Sequence, residues 1–273
     1  MRLLRLFDGE QGQELPLAYL HRDRQGRTLC NGSPRQVSLL APGQAGVDGE
    51  GRLFLTLAPY ASPAPGDFLA LAGGQCLLRM PEGVGDGALE LKSPGFASIS
   101  CDVELWPCLR AGVLTVSDKG ARGEREDTAG PALAELVEAQ GAVVLQREVV
   151  PDDPGRIRDT VVRWCEQERL HLVLCTGGTG IGPRDRTPEA LLELADRVVP
   201  GFGETMRLRT LAHTPRAFLT RGLAVTRGTT LVVAFPGSER GARQCFEAIV
   251  PGLRHGVETL VGMASECGGT HAH

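Results

Sequence analysis

The pattern of hydrophobic and polar residues changes near residue 108. Before that point, short apolar runs alternate with frequent turn signals. The runs are 37–40, 53–57, 68–71 and 76–78, and the turns include Asn31-Gly32, Ala41-Pro42-Gly43, Asp48-Gly49, Pro63-Ala64-Pro65-Gly66 and Gly73-Gly74. Short strands between closely spaced turns are typical of a barrel or a sandwich. The pattern therefore predicts a smaller β-rich domain over residues 1–108.

After residue 108, apolar runs alternate with amphipathic stretches. The predicted strands are 111–116, 142–150, 172–176, 223–226 and 230–235, with a hairpin at Arg227-Gly228-Thr229; the predicted helices are 131–140, 157–168, 188–195, 202–211, 240–250 and 251–261. Asp127-Thr128 and Thr187 are the expected N-caps of two helices. Such alternation favours a doubly wound α/β domain over 109–273, with a mostly parallel sheet and helices on both faces.

A glycine-rich loop follows the predicted strand 172–176 and precedes Asp185. Its glycines are Gly177, Gly178, Gly180 and Gly182. Because glycine has no Cβ, such a loop can turn its backbone N–H groups toward an anion. The dinucleotide and Walker motifs do not fit, since Pro183 or Asp185 replaces the third glycine of the first and the loop has no lysine. The alternative is a plain turn from strand to helix.

Carboxylates and hydroxyls follow the other predicted strands. The first strand ends at Ser117-Asp118, the second at Asp152-Asp153, the third at the glycine loop and Asp185, and the last at Pro236-Gly237-Ser238. Ligands bind at the carboxyl ends of parallel strands, and Mg²⁺ favours one or two carboxylates plus substrate phosphates. We therefore expect a Mg–nucleotide or similar polyphosphate and phosphoryl or nucleotidyl transfer. The alternatives are a turn residue for Asp152 and an ordinary loop acid for Asp118.

Composition narrows the class of partner and the compartment. The 273 residues carry a net charge of −4 with no block of like charges, and aromatic residues are only 4%, which predicts neither nucleic-acid nor polybasic membrane binding. Without an apolar run near about 18 residues, and with Asp8 too early for a signal peptide, we expect a cytoplasmic protein.

Cysteine and histidine residues provide weaker candidates for chemistry. The eight cysteines form no C-x-x-C pair and are expected to be reduced and buried. The C-terminal segment with Cys267, His271 and His273 could bind a metal, but a frayed terminus is the favoured interpretation. His171 is expected to be a strand-edge residue rather than a catalyst.

Several short motifs follow one another in the second predicted domain. They are Val116-Ser117-Asp118, Asp127-x-x-Gly130, Val150-Pro151-Asp152-Asp153, Thr176-Gly177-Gly178-Thr179-Gly180, Asp185-x-Thr187-Pro188, Pro200-Gly201-Phe202-Gly203-Glu204 and Phe235-Pro236-Gly237-Ser238. Together they resemble the MogA/MoaB family of molybdopterin adenylyltransferases, which act in molybdenum cofactor biosynthesis. The resemblance covers residues 109–261.

This resemblance implies a reaction and a set of site residues. Molybdopterin and ATP, with Mg²⁺, would give adenylylated molybdopterin and pyrophosphate, the molybdopterin phosphate attacking the α-phosphorus of ATP. Asp152 and Asp185 would be the catalytic and metal-binding acids. The substrate and nucleotide would contact Ser117, Asp118, Thr176, Gly177, Gly178, Thr179, Gly180, Glu204, Pro236, Gly237 and Ser238.

The resemblance also implies a homotrimer and a MoeA-type molybdate-insertion protein as a partner. One alternative is a binding or carrier protein that uses the same pocket without turnover. Another is a role in molybdate insertion itself, against which the absence of that class's extra domains argues.

The first predicted domain contains one weaker resemblance. Arg35-Gln36-Val37-Ser38-Leu39-Leu40 is similar to part of the MOSC module, a β-rich domain linked to sulfurated molybdenum cofactor and found fused to MogA-like domains. We interpret residues 1–108 as a truncated MOSC-like domain, with a surface that carries the pterin. Cys76, Cys101 and Cys108 are candidates for its functional cysteine, although structural roles are favoured.

Overall fold

The computed structural model describes residues 1–40, 51–58, 63–71, 76–82 and 88–263. The chain divides into two compact units, one of Met1–Cys108 with Ala139–Gly141 and the other of Leu109–Glu138 with the chain from Ala142 onward. The predicted turns at Ala41-Pro42-Gly43, Asp48-Gly49 and Gly73-Gly74 lie outside the described residues, as does the C-terminal segment with Cys267, His271 and His273. No helix among the described residues is long and apolar enough to cross a membrane.

The first unit consists of β-strands. They are β1 (Arg2–Asp8), β2 (Gln13–Glu14), β3 (Leu17–Arg22), β4 (Thr28–Cys30), β5 (Ser33–Pro34), β6 (Gln36–Leu39), β7 (Arg52–Ala58), β8 (Phe68–Leu71), β9 (Cys76–Arg79), β10 (Ala88–Ser93), β11 (Gly95–Ser98) and β12 (Val103–Trp106). They form an eight-stranded sheet, β12-β8-β9-β10-β6-β7-β1-β2, and a four-stranded sheet, β11-β3-β4-β5. Leu3 and Leu6 of one sheet share a core with Ala18 and Leu20 of the other. The predicted β-rich region is confirmed.

Arg35, the first residue of the MOSC-like motif, is held inside this unit. Its guanidinium donates to the Asp8 carboxylate, with Nη2 3.1 Å from Oδ2, and only 5% of either side chain is exposed. A buried pair of this kind orders the chain around it and cannot be broken on one side without leaving an unpaired charge. Burial also raises the pKa of the Cys76 thiol to about 12, so that this candidate cysteine is un-ionised at neutral pH. The MOSC-like assignment stays a prediction.

The second unit alternates strands and helices. The strands are β13 (Leu109–Val116), β14 (Ala142–Val150), β15 (Leu172–Thr176), β16 (Arg197–Val198), β17 (Ala224–Arg227) and β18 (Thr230–Phe235); the helices are α1 (Asp118–Ala121), α2 (Ala129–Glu138), α3 (Pro154–Glu166), α4 (Thr187–Leu194), α5 (Pro200–Thr210) and α6 (Glu239–Val261), with a 3-10 helix at Pro215–Leu219. The sheet order is β14-β13-β15-β18-β17-β16. The first four strands are parallel, and β17 and β16 are antiparallel to their neighbours.

Helices cover both faces of this sheet. On one face Ala111 and Val113 of β13 share a core with α2 and α6. On the other, Leu114 and Val116 share a core with α3 and α4, which includes the fully buried Trp164. Alternate residues of one strand enter the two cores because successive side chains of a strand point to opposite faces. The predicted doubly wound, mostly parallel α/β fold is confirmed.

The C-terminal helix differs from the prediction of two helices. Residues 239–261 form the single helix α6, with Pro251 inside it. Ile249 before the proline and Leu253 after it pack into the same core. This continuous burial outweighs the one hydrogen bond that proline cannot donate.

Helix starts also differ from the sequence-based prediction. Thr187 is the first residue of α4 rather than its N-cap, and its Oγ1 donates to the carbonyl of Gly177 at 2.8 Å. Asp153, grouped by sequence with the acids at the strand ends, caps α3 by accepting from the Arg156 amide at 2.8 Å. Ser117, predicted as the end of a strand, caps the short helix α1. In each case a nearby backbone group takes the polar side chain that the local pattern assigned elsewhere.

The close approach of β13 to α3 provides a test of this packing. A Cβ at Gly112 would lie 2.7 Å from the Trp164 ring and 2.7 Å from Leu170 Cδ1. Gly112→Ala should therefore lower the free energy of unfolding by about 1–3 kcal/mol through overpacking. Gly252→Ala is the control, since a Cβ there meets nothing within 4 Å; it lies in α6 and should stabilise by about 0.5–1 kcal/mol. Chemical denaturation measures both, and equal effects would contradict the packing.

Candidate functional site

A cleft of about 330 Å³ lies within the second unit, where β13, β15 and β18 end. Several predicted site residues line it together: Ser117, Asp152, Thr176, Gly177, Gly178, Asp185, Gly237 and Ser238. The cleft therefore occupies the carboxyl edge of the sheet, the position at which parallel sheets bind ligands.

The glycine loop forms one wall of the cleft. Gly177 and Gly178 have φ angles of +100° and +61°, a conformation that L side chains rarely adopt. A Cβ at Gly177 would lie 2.1 Å from the carbonyl oxygen of Val116. Glycine at this position is therefore required both by the backbone conformation and by the close passage of β13.

Hydrogen bonds fix which way the loop faces. The Gly177 amide donates to the Phe235 carbonyl at 3.1 Å, and the Thr187 amide donates to the Gly178 carbonyl at 3.1 Å. Within the described part of the chain, no acceptor is paired with the amides of Gly178, Thr179 or Gly180. Free amides at a positive-φ turn can bind an anion. A plain turn from strand to helix, the alternative interpretation, has no need of such free amides.

Asp118 and Asp152 lock the ends of two neighbouring strands together. The Asp118 amide donates to Asp152 Oδ2 at 2.8 Å, and the Asp152 amide donates to Asp118 Oδ1 at 3.0 Å. Arg184 then donates to the other oxygen of Asp118 at 2.6 Å. The two acids are thus held side by side by backbone amides and share one cationic neighbour.

The pKa values of Asp118 and Asp152 are shifted in opposite directions. Burial raises the pKa of the Asp152 carboxyl above its ordinary value, and the negative charges of Asp118 and Asp185 add to the shift. The hydrogen bond from the Asp152 amide and the ion pair with Arg184 lower the pKa of Asp118. The charge on Asp152 is therefore the one that a bound cation would relieve.

Asp185 lies on the other side of the glycine loop. Its Oδ2 accepts from the Gly182 amide at 2.9 Å, which closes the turn that follows the glycines. The carboxylates of Asp152 and Asp185 line the same cleft. Two carboxylates that repel each other are suitable ligands for Mg²⁺. Phosphate and water oxygens usually complete the coordination shell of this ion. Across the described ranges, no group of three or more His, Cys, Asp or Glu side chains could hold a metal by itself.

Other predicted site residues do not line the cleft. Thr179 is buried, with Oγ1 3.4 Å from the Phe235 carbonyl, and Glu204 is exposed on α5. Asp118, Gly180 and Pro236 are also absent from the lining residues of the described cleft. The hydroxyl of Thr176 donates to the Pro236 carbonyl at 2.8 Å. The proposed binding roles of these residues stay predictions.

Two hydroxyls of the predicted site are engaged in capping helices. Ser238 Oγ accepts from the Gly241 amide at 3.2 Å at the start of α6, and Ser117 Oγ accepts from the Gly120 amide at 3.1 Å. The N-terminus of α6, a helix of 23 residues, therefore opens onto the cleft. Its positive dipole end favours negative charge at that place.

Sequence reasoning missed a further wall of the cleft. It comprises Arg125, Glu126, Asp127 and Thr128, which precede α2. The Asp127 carboxylate accepts from Thr115 Oγ1 at 2.8 Å and from the Gly130 amide at 2.9 Å. The spacing Asp127-x-x-Gly130 was a usable signal, because a Cβ at Gly130 would lie 2.3 Å from Asp127 Oδ2.

Comparisons with known proteins place this unit in a family. A family model described as "Probable molybdopterin binding domain" matches residues 112–255, more than half of the chain. The molybdopterin adenylyltransferase of Helicobacter pylori is 34% identical over 156 residues, which are 56% of this chain and 89% of that protein. The molybdopterin adenylyltransferase of Escherichia coli is 36% identical over 143 residues, 52% of this chain and 73% of that protein.

A solved structure shares the same fold. The crystal structure of the molybdopterin biosynthesis enzyme MoaB from Thermus thermophilus is 49% identical and aligns with a TM-score of 0.55, covering 56% of this chain and 97% of that one. The resemblance carried by the motifs at the strand ends is therefore confirmed, and the chain belongs to the MogA/MoaB family of molybdopterin-binding domains.

Proposed function

We propose that the second unit adenylylates molybdopterin with Mg–ATP and releases pyrophosphate, a step of molybdenum cofactor biosynthesis. The observation that carries the proposal is the cleft in which Asp152 and Asp185 flank the glycine loop. Its relatives in Helicobacter pylori and Escherichia coli, both named molybdopterin adenylyltransferase, support the same reaction class.

Each part of the cleft has a task in this reaction. The unpaired amides of Gly178, Thr179 and Gly180 bind phosphate oxygens of the nucleotide, and the N-terminus of α6 favours a second cluster of negative charge. Asp152 and Asp185 hold Mg²⁺, which supplies charge neutralisation on the phosphates when bound. The chain thereby orients the α-phosphorus toward the molybdopterin phosphate, and the catalysis consists of positioning and electrostatics.

The larger assembly is part of the same proposal. The molybdopterin-binding domain over 109–273 would act as a homotrimer, joined to a MOSC-like domain over 1–108, and would pass its product to a MoeA-type molybdate-insertion protein. The free cysteines of the described residues suit a reducing, cytoplasmic compartment.

The two acids provide the main test. Asp152→Asn and Asp185→Asn should each lower the rate of pyrophosphate release by about 100-fold or more, since each removes charge at the reacting phosphates. The matched control is Asp153→Asn, because Asp153 is an exposed cap of α3 and asparagine is an equally good cap. Assay with molybdopterin and labelled ATP measures all three. Undiminished turnover in both acid variants would refute the carboxylate role.

Stability separates this role of Asp152 from a structural one. Because its pKa is raised in the folded state, its charge opposes folding above the unfolded pKa. Asparagine removes the charge and keeps an acceptor for the Asp118 amide. The Tm of Asp152→Asn at neutral pH should therefore equal or exceed that of the parent chain.

If molybdopterin is instead retained on purification and no variant or parent shows ATP-dependent turnover, the carrier alternative replaces the enzyme.

Arg184 gives a pH-dependent prediction. Its positive charge lowers the pKa of both Asp118 and Asp152. Arg184→Gln removes that charge, so the pKa of Asp152 rises further and the acid limb of the kcat/KM profile moves to higher pH. Arg158→Gln is the control, since Arg158 pairs with Glu193 between α3 and α4. An unshifted acid limb in Arg184→Gln would contradict the coupling.

Exposed apolar side chains of the single chain provide a test of the proposed homotrimer. Leu208 of α5 and Phe218 of the 3-10 helix are 71% and 64% exposed in the single chain. Burying such side chains against a second copy is favourable by about 25 cal/mol per Å². Leu208→Asp with Phe218→Asp should convert a trimer to monomers in sedimentation analysis, whereas Leu4→Asp, 51% exposed in the first unit, should not. A monomeric parent chain would rule the trimer out.

A further inference from the structure

Arg221 lies against the glycine loop, between the 3-10 helix and β17. Its backbone amide donates to the Thr179 carbonyl at 2.8 Å, and its Nε donates to the Gly180 carbonyl at 2.7 Å. Its Nη2 donates to the carbonyl of Asp185. Arg221 alone thus donates to three backbone carbonyls of the segment from Thr179 to Asp185.

Glu189 fixes the orientation of the guanidinium. Its carboxylate accepts from Nη1 of Arg221, and the two side chains are 38% and 35% exposed. Glu189 stands in the first turn of α4, where a negative charge is favourable. Neither Arg221 nor Glu189 is among the lining residues of the described cleft. Their contacts therefore concern the loop itself rather than a ligand in the cleft.

We propose that Arg221, oriented by Glu189, is a positioning residue that holds the carbonyl side of the glycine loop. With the carbonyls bound behind the loop, the amides of Gly178 to Gly180 and the side chain of Asp185 are aimed at the phosphates. The inference rests on the proposed function, because it assigns these amides to the phosphates of the substrate.

The shape of the side chain decides between this role and a simple electrostatic one. The guanidinium is a planar fork with donors in fixed directions, whereas a lysine ammonium is a single point charge. Its charge is neutralised locally by Glu189, so little of it reaches the cleft. A positioning role therefore requires arginine, while a long-range electrostatic role would be kept by lysine.

The experiment compares Arg221→Lys with Arg227→Lys in the full chain. Arg227 is a matched control, since it also pairs with a glutamate, Glu166, and donates to a backbone carbonyl, that of Leu194, at 2.8 Å. Arg221→Lys should lower kcat by about 100-fold and raise the KM for ATP, as expected for a displaced loop that binds phosphate. Arg227→Lys should leave kcat unchanged, and both variants should have similar Tm values.

A second readout is independent of adenylylation. Hydrogen–deuterium exchange of peptides covering residues 177–185 should be faster in Arg221→Lys than in the parent chain and unchanged in Arg227→Lys. Affinity for Mg–pyrophosphate, measured by calorimetry, should fall in Arg221→Lys only. Because exchange needs no turnover, a parent chain without adenylylation would refute the proposed function and still leave the positioning role decided by exchange.

Two further variants complete the test. Guanidinium ion at millimolar concentration should restore part of the kcat of Arg221→Ala, because the free ion supplies the same planar set of donors without the side chain that carries it. Glu189→Gln keeps an acceptor but loses the charge, and it should show a smaller loss of kcat than Arg221→Lys. Equal exchange and equal kcat in Arg221→Lys and Arg227→Lys would overturn the proposal, as would full activity of Arg221→Ala without guanidinium.

Discussion

Backbone contact between three strand ends is the constraint on which the cleft depends. Gly177 passes so close to Val116 that a Cβ would lie 2.1 Å from its carbonyl oxygen, and a Cβ at Gly237 would lie 3.0 Å from the Gly177 Cα. At Gly177 only glycine permits this approach, and at Gly237 a larger residue would have to displace its neighbour by a few tenths of an ångström. Because β13, β15 and β18 end within backbone contact, their following residues converge on one cavity instead of spreading along the edge of the sheet.

That convergence brings negative charges together and so has an electrostatic cost. Asp152 is repelled by both Asp118 and Asp185, and the positive charge of Arg184 offsets only part of that repulsion. The fold tolerates the remaining charge because a backbone amide donates to each of the three carboxylates. Unrelieved charge next to unpaired amides is a preorganised arrangement for a cation and its phosphates, since the protein need not rearrange when they bind.

The fold and part of the site could be predicted from local patterns. Strand β14 has the predicted bounds because Gly141 precedes it and Pro151 follows it, and β15 has them because it is an apolar run that ends at Gly177. The acids at the strand ends were predictable because parallel topology alone brings strand ends together. Asp127 was predicted as a helix cap and as part of a family motif, but not as a site residue, since its partner Thr115 belongs to a strand that the pattern describes simply as buried.

Other features depend on contacts that no local pattern encodes. Thr187 looks like an N-cap, yet the Gly177 carbonyl ten residues earlier takes its hydroxyl. Pro251 normally ends a helix, but the core on either side of it continues. Arg221 contacts residues 32 to 42 positions earlier in the chain, so its role becomes visible only once the loop is folded.

The reciprocal hydrogen bonds between Asp118 and Asp152 have a consequence for how the sequence can change. Each carboxylate accepts a hydrogen bond from the other residue's amide. The lengths of the connections that follow β13 and β14 are therefore matched to each other. An insertion or deletion in one connection misaligns both acids at once. Evolutionary drift in these two loops is therefore expected to be epistatic, with compensating changes arising in pairs.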